Sequence, residues 1–130
     1  MTETNTQDRV RLIPDSKHPI TLEKNPRRVV VRFAGKRVAD TANAIVLKEA
    51  SYPAVQYIPR TDVDMQFLQR SAHTSYCPYK GDASYFSLSA PGGSSENAVW
   101  SYEAPYEAVS AIQDHVAFYP DRVEISEQDV

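Results

Sequence analysis

The sequence has few cysteines and glycines, no excess of positive charge and no long apolar run, and each shortage excludes a class of protein. The single cysteine, Cys77, rules out an internal disulfide and favours a reducing compartment. A net charge of -3 gives no general basic surface for nucleic acid. The sequence contains no run of about 18 apolar residues, so no membrane span is predicted. Residues 1–8 are polar and lack the apolar core of a secretory signal. We therefore expect a soluble cytoplasmic protein.

Prolines and tyrosines are abundant instead. Nine prolines against four glycines predict many stiff corners, and eight tyrosines against four phenylalanines give an aromatic set with polar ends. A chain of 130 residues is enough for one domain. We expect a single globular domain over residues 18–125, preceded by a flexible polar arm at 1–17 and followed by a polar tail at 126–130.

Short alternating stretches predict a mainly β fold. The clearest is a hairpin, in which Arg28–Phe33 alternates, Ala34 and Gly35 form the corner, and Lys36–Asp40 returns antiparallel. Segment 61–68 predicts a helical turn followed by a strand, and 108–112 a short helix of about two turns. The expected architecture is a compact, antiparallel, barrel-like sheet of about eight short strands with one or two short helices, at the margin of α+β. The further predicted strands are 44–49, 55–58, 83–88, 97–102, 116–119 and 123–125.

Residues 73–85 concentrate reactive and hydrogen-bonding side chains. Pro78 and Gly81 predict a tight turn with Tyr79 and Lys80 on its outside. Cys77 would act as a nucleophile if a nearby cation or imidazole favoured its thiolate, although a lone cysteine is more commonly a small buried hydrophobe. Lys80 would bind an anion or act as an acid or base, and the alternative is a solvated turn lysine. The candidate catalytic residues are therefore Lys80 and Cys77.

The aromatic residues either line a pocket or fill a β core. Charged neighbours, which a core would not need, favour the pocket. The predicted ligand-binding residues are Glu49, Tyr52, Tyr57, Arg60, His73, Tyr79, Lys80, Asp82, Tyr85, Tyr102 and Tyr119. Trp100, with apolar and aromatic neighbours, is expected to be largely buried. No metal or cofactor is predicted, because the three histidines and Cys77 lack the paired spacing of a metal site.

Four stretches carry a resemblance to a known family. They read RVVVRFAGKRVAD (28–40), SYPAVQYIPRTDV (51–63), HTSYCPYKGDASY (73–85), and NAVWSY with VAFYPDRV (97–102 and 116–123). Over about residues 18–125 the chain resembles the family of domains of unknown function numbered 427. The resemblance implies a small single domain with no established reaction. The family's shared positions carry over to Tyr52, Pro53, Tyr57, Pro59, Cys77, Tyr79, Lys80, Gly81, Tyr85, Trp100, Tyr102, Phe118, Tyr119 and Asp121.

That family is also filed under a nucleotidyltransferase-like label, which the residues do not support. Such enzymes present a Gly-Ser turn ahead of paired carboxylates. Here Ala50 and Ser51 precede Asp62 and Asp64 without the glycine.

The leading functional hypothesis is a cleft, lined by tyrosines beside the turn at 77–82, that binds a small polar or anionic metabolite. In it, Lys80 and Arg60 would hold the negative group. The alternatives are a metal-independent enzyme that uses Cys77 or Lys80, and a purely structural or interaction module. No nucleic-acid or membrane partner is expected, and the oligomeric state stays open.

Overall fold

The computed structural model describes residues 9–129, which fold mainly into antiparallel β-structure. The ten strands in this part of the chain are β1 (Ile20–Lys24), β2 (Arg28–Phe33), β3 (Lys36–Thr41), β4 (Ile45–Glu49), β5 (Val55–Pro59), β6 (Leu68–Cys77), β7 (Gly81–Ala90), β8 (Gly93–Ser101), β9 (His115–Phe118) and β10 (Glu124–Gln128). The predicted mainly β, antiparallel class is therefore confirmed, with ten strands in place of about eight.

The strands form two sheets. Seven strands lie in the order β1-β4-β5-β9-β8-β7-β6, and three in the order β10-β2-β3. The larger sheet is open, because β1 and β6 are its two edges and do not pair with each other. The barrel-like closure expected from sequence is thus absent from the described residues, and the small sheet covers one face of the large one.

The predicted hairpin is present. Strand β2 pairs antiparallel with β3, with Val31 opposite Ala39 and Phe33 opposite Lys36. At the corner, Ala34 and Gly35 have φ angles of 51° and 78°. Two consecutive left-handed residues are the geometry of a turn whose twist matches that of the flanking strands.

The helical predictions are met by short 3₁₀ segments. The turn expected in segment 61–68 is Arg60–Asp62, but a second 3₁₀ segment, Met65–Phe67, intervenes before β6 begins. The predicted two-turn helix is a 3₁₀ segment over Glu107–Ile112 that is broken at Val109, whose φ is -125°. Val109 and Ile112 are the buried residues of this kinked segment and pack it against the core.

Alternation along the strands sends neighbouring side chains to two apolar clusters. On β5, Ile58 joins a cluster that contains residues of both sheets, whereas Tyr57 joins the second cluster on the opposite face. On β8, Val99 and Trp100 divide in the same way. The second cluster holds all three buried tyrosines of the described residues, and the candidate site lies beside it.

The described part of the predicted polar arm contacts the β6–β7 hairpin. Leu12 N donates to Pro78 O at 2.9 Å, and Arg9 forms two hydrogen bonds with the carboxylate of Asp82. Residues 1–8 of that arm, and the last residue of the predicted tail, lie outside the described residues. No helix in the described range has both the length and the apolar character needed to cross a membrane.

Candidate functional site

A cavity of about 210 Å³ opens on the second face of the large sheet. Strands β4, β5, β7 and β8 contribute to it, together with the β4–β5 loop, the β6–β7 turn and the residues that follow β8 and β9. Its walls combine aromatic rings with one ion pair. The lining residues are Leu47, Glu49, Tyr52, Pro53, Val55, Tyr57, Lys80, Tyr85, Trp100, Tyr102 and Tyr119.

Lys80 enters this cavity from the β6–β7 turn. Its amide donates to Cys77 O at 3.2 Å, which closes the turn, and its carbonyl accepts a hydrogen bond from Tyr106 N at 3.0 Å. Gly81 follows with a φ of 108°, a value that side chains disfavour. The Lys80 side chain is 9% exposed, so its predicted position on the outside of the turn is wrong. The overlying segment at 104–106 covers the turn and leaves the lysine facing inward.

A chain of hydrogen bonds runs from the cavity to a histidine. Lys80 Nζ donates to Glu49 Oε1, and Glu49 Oε2 lies 2.7 Å from Nε2 of His18. The Glu49 side chain is 14% exposed. Burial by itself would raise the pKa of Glu49, but the hydrogen bonds from Lys80 and His18 outweigh it and lower that pKa. Glu49 is therefore the charged centre of the site at neutral pH.

His18 was missed as a site residue, because nothing local links it to Glu49. The link is the β1–β4 pairing, which sets Ile20 opposite Glu49, with Ala50 N donating to Pro19 O at 2.8 Å. The imidazole also stacks on the Tyr79 ring, with the ring centroids 4.0 Å apart. Strand pairing across 31 residues thus sets the outer end of the cluster.

The cavity tyrosines are neutral hydrogen-bonding groups. Tyr57 accepts a hydrogen bond from Trp100 Nε1 at 3.1 Å. Burial raises the pKa of Tyr57 and that of Tyr102 well above the usual range. Burial, followed by contact with Tyr85, raises the pKa of Tyr119 to about 12. At neutral pH these phenols keep their protons, so each offers one donor and one acceptor to its surroundings.

The structure brings most of the predicted ligand-binding residues to this cavity. Those that line it are Glu49, Tyr52, Tyr57, Lys80, Tyr85, Tyr102 and Tyr119. Four do not. Arg60 donates to Ser101 Oγ and to Glu103, each at 3.1 Å, and Asp82 pairs with Arg9 of the arm. His73 is exposed and packs edge-on to Tyr85. Tyr79 stacks on His18.

Cys77 and Trp100 were also singled out from the sequence. Cys77 is partly buried against the second apolar cluster and is not among the lining residues. Trp100 is partly buried, because its indole packs against the second apolar cluster and also lines the cavity. Trp100 is nevertheless fixed, since Tyr119 packs on it at a centroid distance of 4.5 Å. Aromatic content alone could not separate a cavity wall from the core.

Metal chemistry has no obvious set of ligands in this part of the chain. Within residues 9–129, no three side chains of His, Cys, Asp or Glu come together as a metal site would require. What the arrangement can do chemically is to present a cation, a carboxylate and phenolic hydroxyls to a small molecule beside flat aromatic rings.

Comparison with known families identifies the fold's relatives. A family model described as "Domain of unknown function (DUF427)" matches residues 21–129, and the chain belongs to that family. No curated protein matches the chain. The match identifies the family and the residues that it covers, and any activity has to be argued from the site.

Proposed function

We propose that this domain binds a small polar metabolite in the cavity around Lys80, with an oxygen of the ligand accepting hydrogen bonds from Nζ. The observation that carries the proposal is an inward-facing lysine, 9% exposed, beside a cavity walled by tyrosines. Small-molecule sites commonly combine a few convergent polar groups with an apolar and aromatic lining.

The hydrogen-bonding capacity of Lys80 supports this proposal. An ammonium group has three N–H donors. Among the described residues Glu49 is the one side chain to which Nζ donates, so two donors are left for the cavity. The Tyr102 ring lies nearby, with its centroid 5.8 Å from Nζ. A ligand oxygen would complete the set of acceptors around the ammonium group.

The charge balance narrows the class of ligand. Because Glu49 already neutralises Lys80, the cavity favours a carboxylate, an amide or another polar oxygen over a polyanion such as a triphosphate. Arg60, which the sequence suggested as a second cation, is engaged with Glu103 and is not part of this proposal. The aromatic walls favour a flat ligand body. We also propose a cytoplasmic location, on the grounds of the lone cysteine.

An acid–base enzyme is the second candidate. The Lys80–Glu49–His18 chain connects the cavity to a side chain that is 24% exposed, which is a route for passing a proton. Cys77 is less suited to catalysis, because it packs against the second cluster away from the lining. A reaction would require the ligand to be altered after incubation, which mass spectrometry of the recovered ligand would detect.

The test compares thermal unfolding with benzoate and benzamide, two flat ligands that differ in charge. We expect either ligand to raise the melting temperature of the wild type, since a ligand that binds the native state stabilises it. The double variant Lys80→Met/Glu49→Gln removes both charges together and should lose the rise.

The matched control is Lys48→Met, which removes an exposed lysine on the same strand as Glu49. It should keep the wild-type response. An equal rise in the double variant and in the wild type would overturn the proposal.

A further inference from the structure

A second, apolar cavity lies beside the first. It encloses about 310 Å³ and is lined by the β4–β5 loop, by Ile58 and Phe118 of the large sheet, and by Ile125 of the small one. Ile58 and Phe118 belong to the first apolar cluster, and Ile125 packs against it. At this second cavity, which we call the groove, the core between the two sheets therefore opens to the outside.

The two cavities share a wall. Tyr52, Pro53, Val55 and Trp100 line both of them. Trp100 is held from two sides, by its hydrogen bond to Tyr57 and by the Tyr119 ring. Tyr52, by contrast, is 64% exposed, a high value for a large aromatic side chain. An exposed ring at the rim between a polar and an apolar space gives a ligand a surface to cross.

The volumes of the two cavities also favour a ligand that occupies both. Sites for small molecules typically enclose roughly 300–1,000 Å³, and the polar cavity alone, at about 210 Å³, is smaller. Adding the groove brings the site well within that range. The polar cavity also offers its ligand an ion pair at one end, whereas the groove offers apolar side chains, apart from Gln56, whose Oε1 accepts from Asn25 at 3.1 Å.

We propose that the two spaces form one binding site for an amphiphilic small molecule, whose polar head lies at Lys80 and whose apolar arm crosses Tyr52 into the groove. This inference rests on the proposed function and adds the class of ligand to it. The occupant of the groove is the arm of that same molecule, because four residues line both spaces and the ring of Tyr52, one of the four, is exposed for the arm to cross.

Straight-chain carboxylates test this directly. Binding of acetate, butanoate, hexanoate and octanoate would be followed by the fluorescence of Trp100, the single tryptophan of the chain, which stands in the shared wall. Once the chain is long enough to reach the groove, affinity should rise about fourfold for each added methylene. Affinity that does not change with chain length, while benzoate still binds, would overturn the amphiphile and leave the proposed function standing.

A variant in the groove provides the second arm. Ala54 is exposed, and it lines the groove but not the polar cavity. Ala54→Gln should flatten the dependence on chain length while leaving butanoate binding unchanged. Ala42→Gln, at another exposed alanine outside both cavities, is the matched control and should behave as the wild type.

Two further outcomes separate the inference from the function on which it rests. If octanoate binds the Lys80→Met/Glu49→Gln variant as tightly as it binds the wild type, the head does not lie at Lys80 and the proposed function fails with the inference. If Ala54→Gln instead converts a dimer into a monomer in sedimentation, the groove is covered by a second copy of the chain, and the amphiphile is overturned.

Discussion

Two clusters in this molecule are built alike but lie in different environments. In each, a glutamate accepts hydrogen bonds from two basic side chains. Glu49 has Lys80 and His18, and the cluster lies beside a cavity with its lysine 9% exposed. Glu103 has Arg60 and Arg70, and lies at the surface with Arg70 53% exposed.

In the surface cluster both carboxylate oxygens of Glu103 accept hydrogen bonds from arginines. Arg70 donates two hydrogen bonds to the Glu103 carboxylate, at 3.0 and 2.7 Å, and Arg60 donates a further one at 3.1 Å. Both guanidinium groups also lie over the Phe86 ring, 5.4 and 4.9 Å from its centroid. This bidentate geometry uses both carboxylate oxygens and links β6 to the segment that follows β8.

The cavity cluster is open at one end. Lys80 keeps two N–H donors for the cavity. Burying an ion pair carries a desolvation cost that can exceed the attraction between the two charges. A well-packed apolar pair in the same place would often be as stable. Partner number and exposure, rather than charge alone, therefore distinguish a structural cluster from a candidate site.

The largest expected effect comes from breaking the cavity pair. Lys80→Met leaves Glu49 buried with His18 as its remaining partner, so the free energy of unfolding should fall by about 2–4 kcal/mol. Adding Glu49→Gln removes the stranded charge and should recover most of the loss. Urea unfolding at pH 7 measures both. A single variant as stable as the wild type would mean that water reaches Glu49 freely.

The surface cluster should govern part of the acid sensitivity. Hydrogen bonds from Arg70, together with weaker ones from Ser84 and Arg60, hold the pKa of Glu103 at about 2, against a reference of 4.5. Because the folded pKa is the lower one, this stabilisation is complete above about pH 4.5 and is lost as the pH falls toward 2. Glu103 is 35% exposed, so solvent screening limits the effect to about 1 kcal/mol.

Chemical denaturation between pH 5 and pH 2 measures this loss. Glu103→Gln should flatten that part of the stability curve, while Glu124→Gln, at an exposed glutamate, should not. An unchanged slope in Glu103→Gln would assign the acid sensitivity to other carboxylates, such as Asp40, whose pKa is also lowered, chiefly by its hydrogen bond with Arg28.

The contrast between the clusters also explains what sequence reasoning can reach. The β2–β3 hairpin was predictable, because alternation in Arg28–Phe33 and the Ala34–Gly35 corner are both local signals. Lys80 was identified as a site residue from its turn, yet its inward direction depends on the segment at 104–106 that covers the turn, a contact that is distant in sequence.

The remaining differences have the same origin. No residue near Glu49 in sequence indicates its contact with His18, because the pairing of β1 with β4 brings the two side chains together. Arg60 was grouped with the tyrosines on charge, but it pairs instead with Glu103, which follows β8 and is distant in sequence. The open sheet was likewise not predictable from local patterns, which specify strands and turns. Closure depends on whether the two edge strands, here β1 and β6, pair with each other, and they do not.

The smallest expected effect is the one that separates the clusters most cleanly. A double-mutant cycle on Arg70→Met and Glu103→Gln should give a coupling energy of about 0.5 kcal/mol in low salt, as is typical for exposed pairs. At 1 M salt the Debye length falls to roughly 3 Å, so this coupling should become too small to measure. The corresponding cycle on Lys80→Met and Glu49→Gln should change little, because a pair with 9% and 14% exposure is poorly reached by ions. Equal salt sensitivity in both cycles would mean that the cavity cluster is as open to solvent as the surface cluster. Exposure would then no longer distinguish the candidate site from the structural cluster.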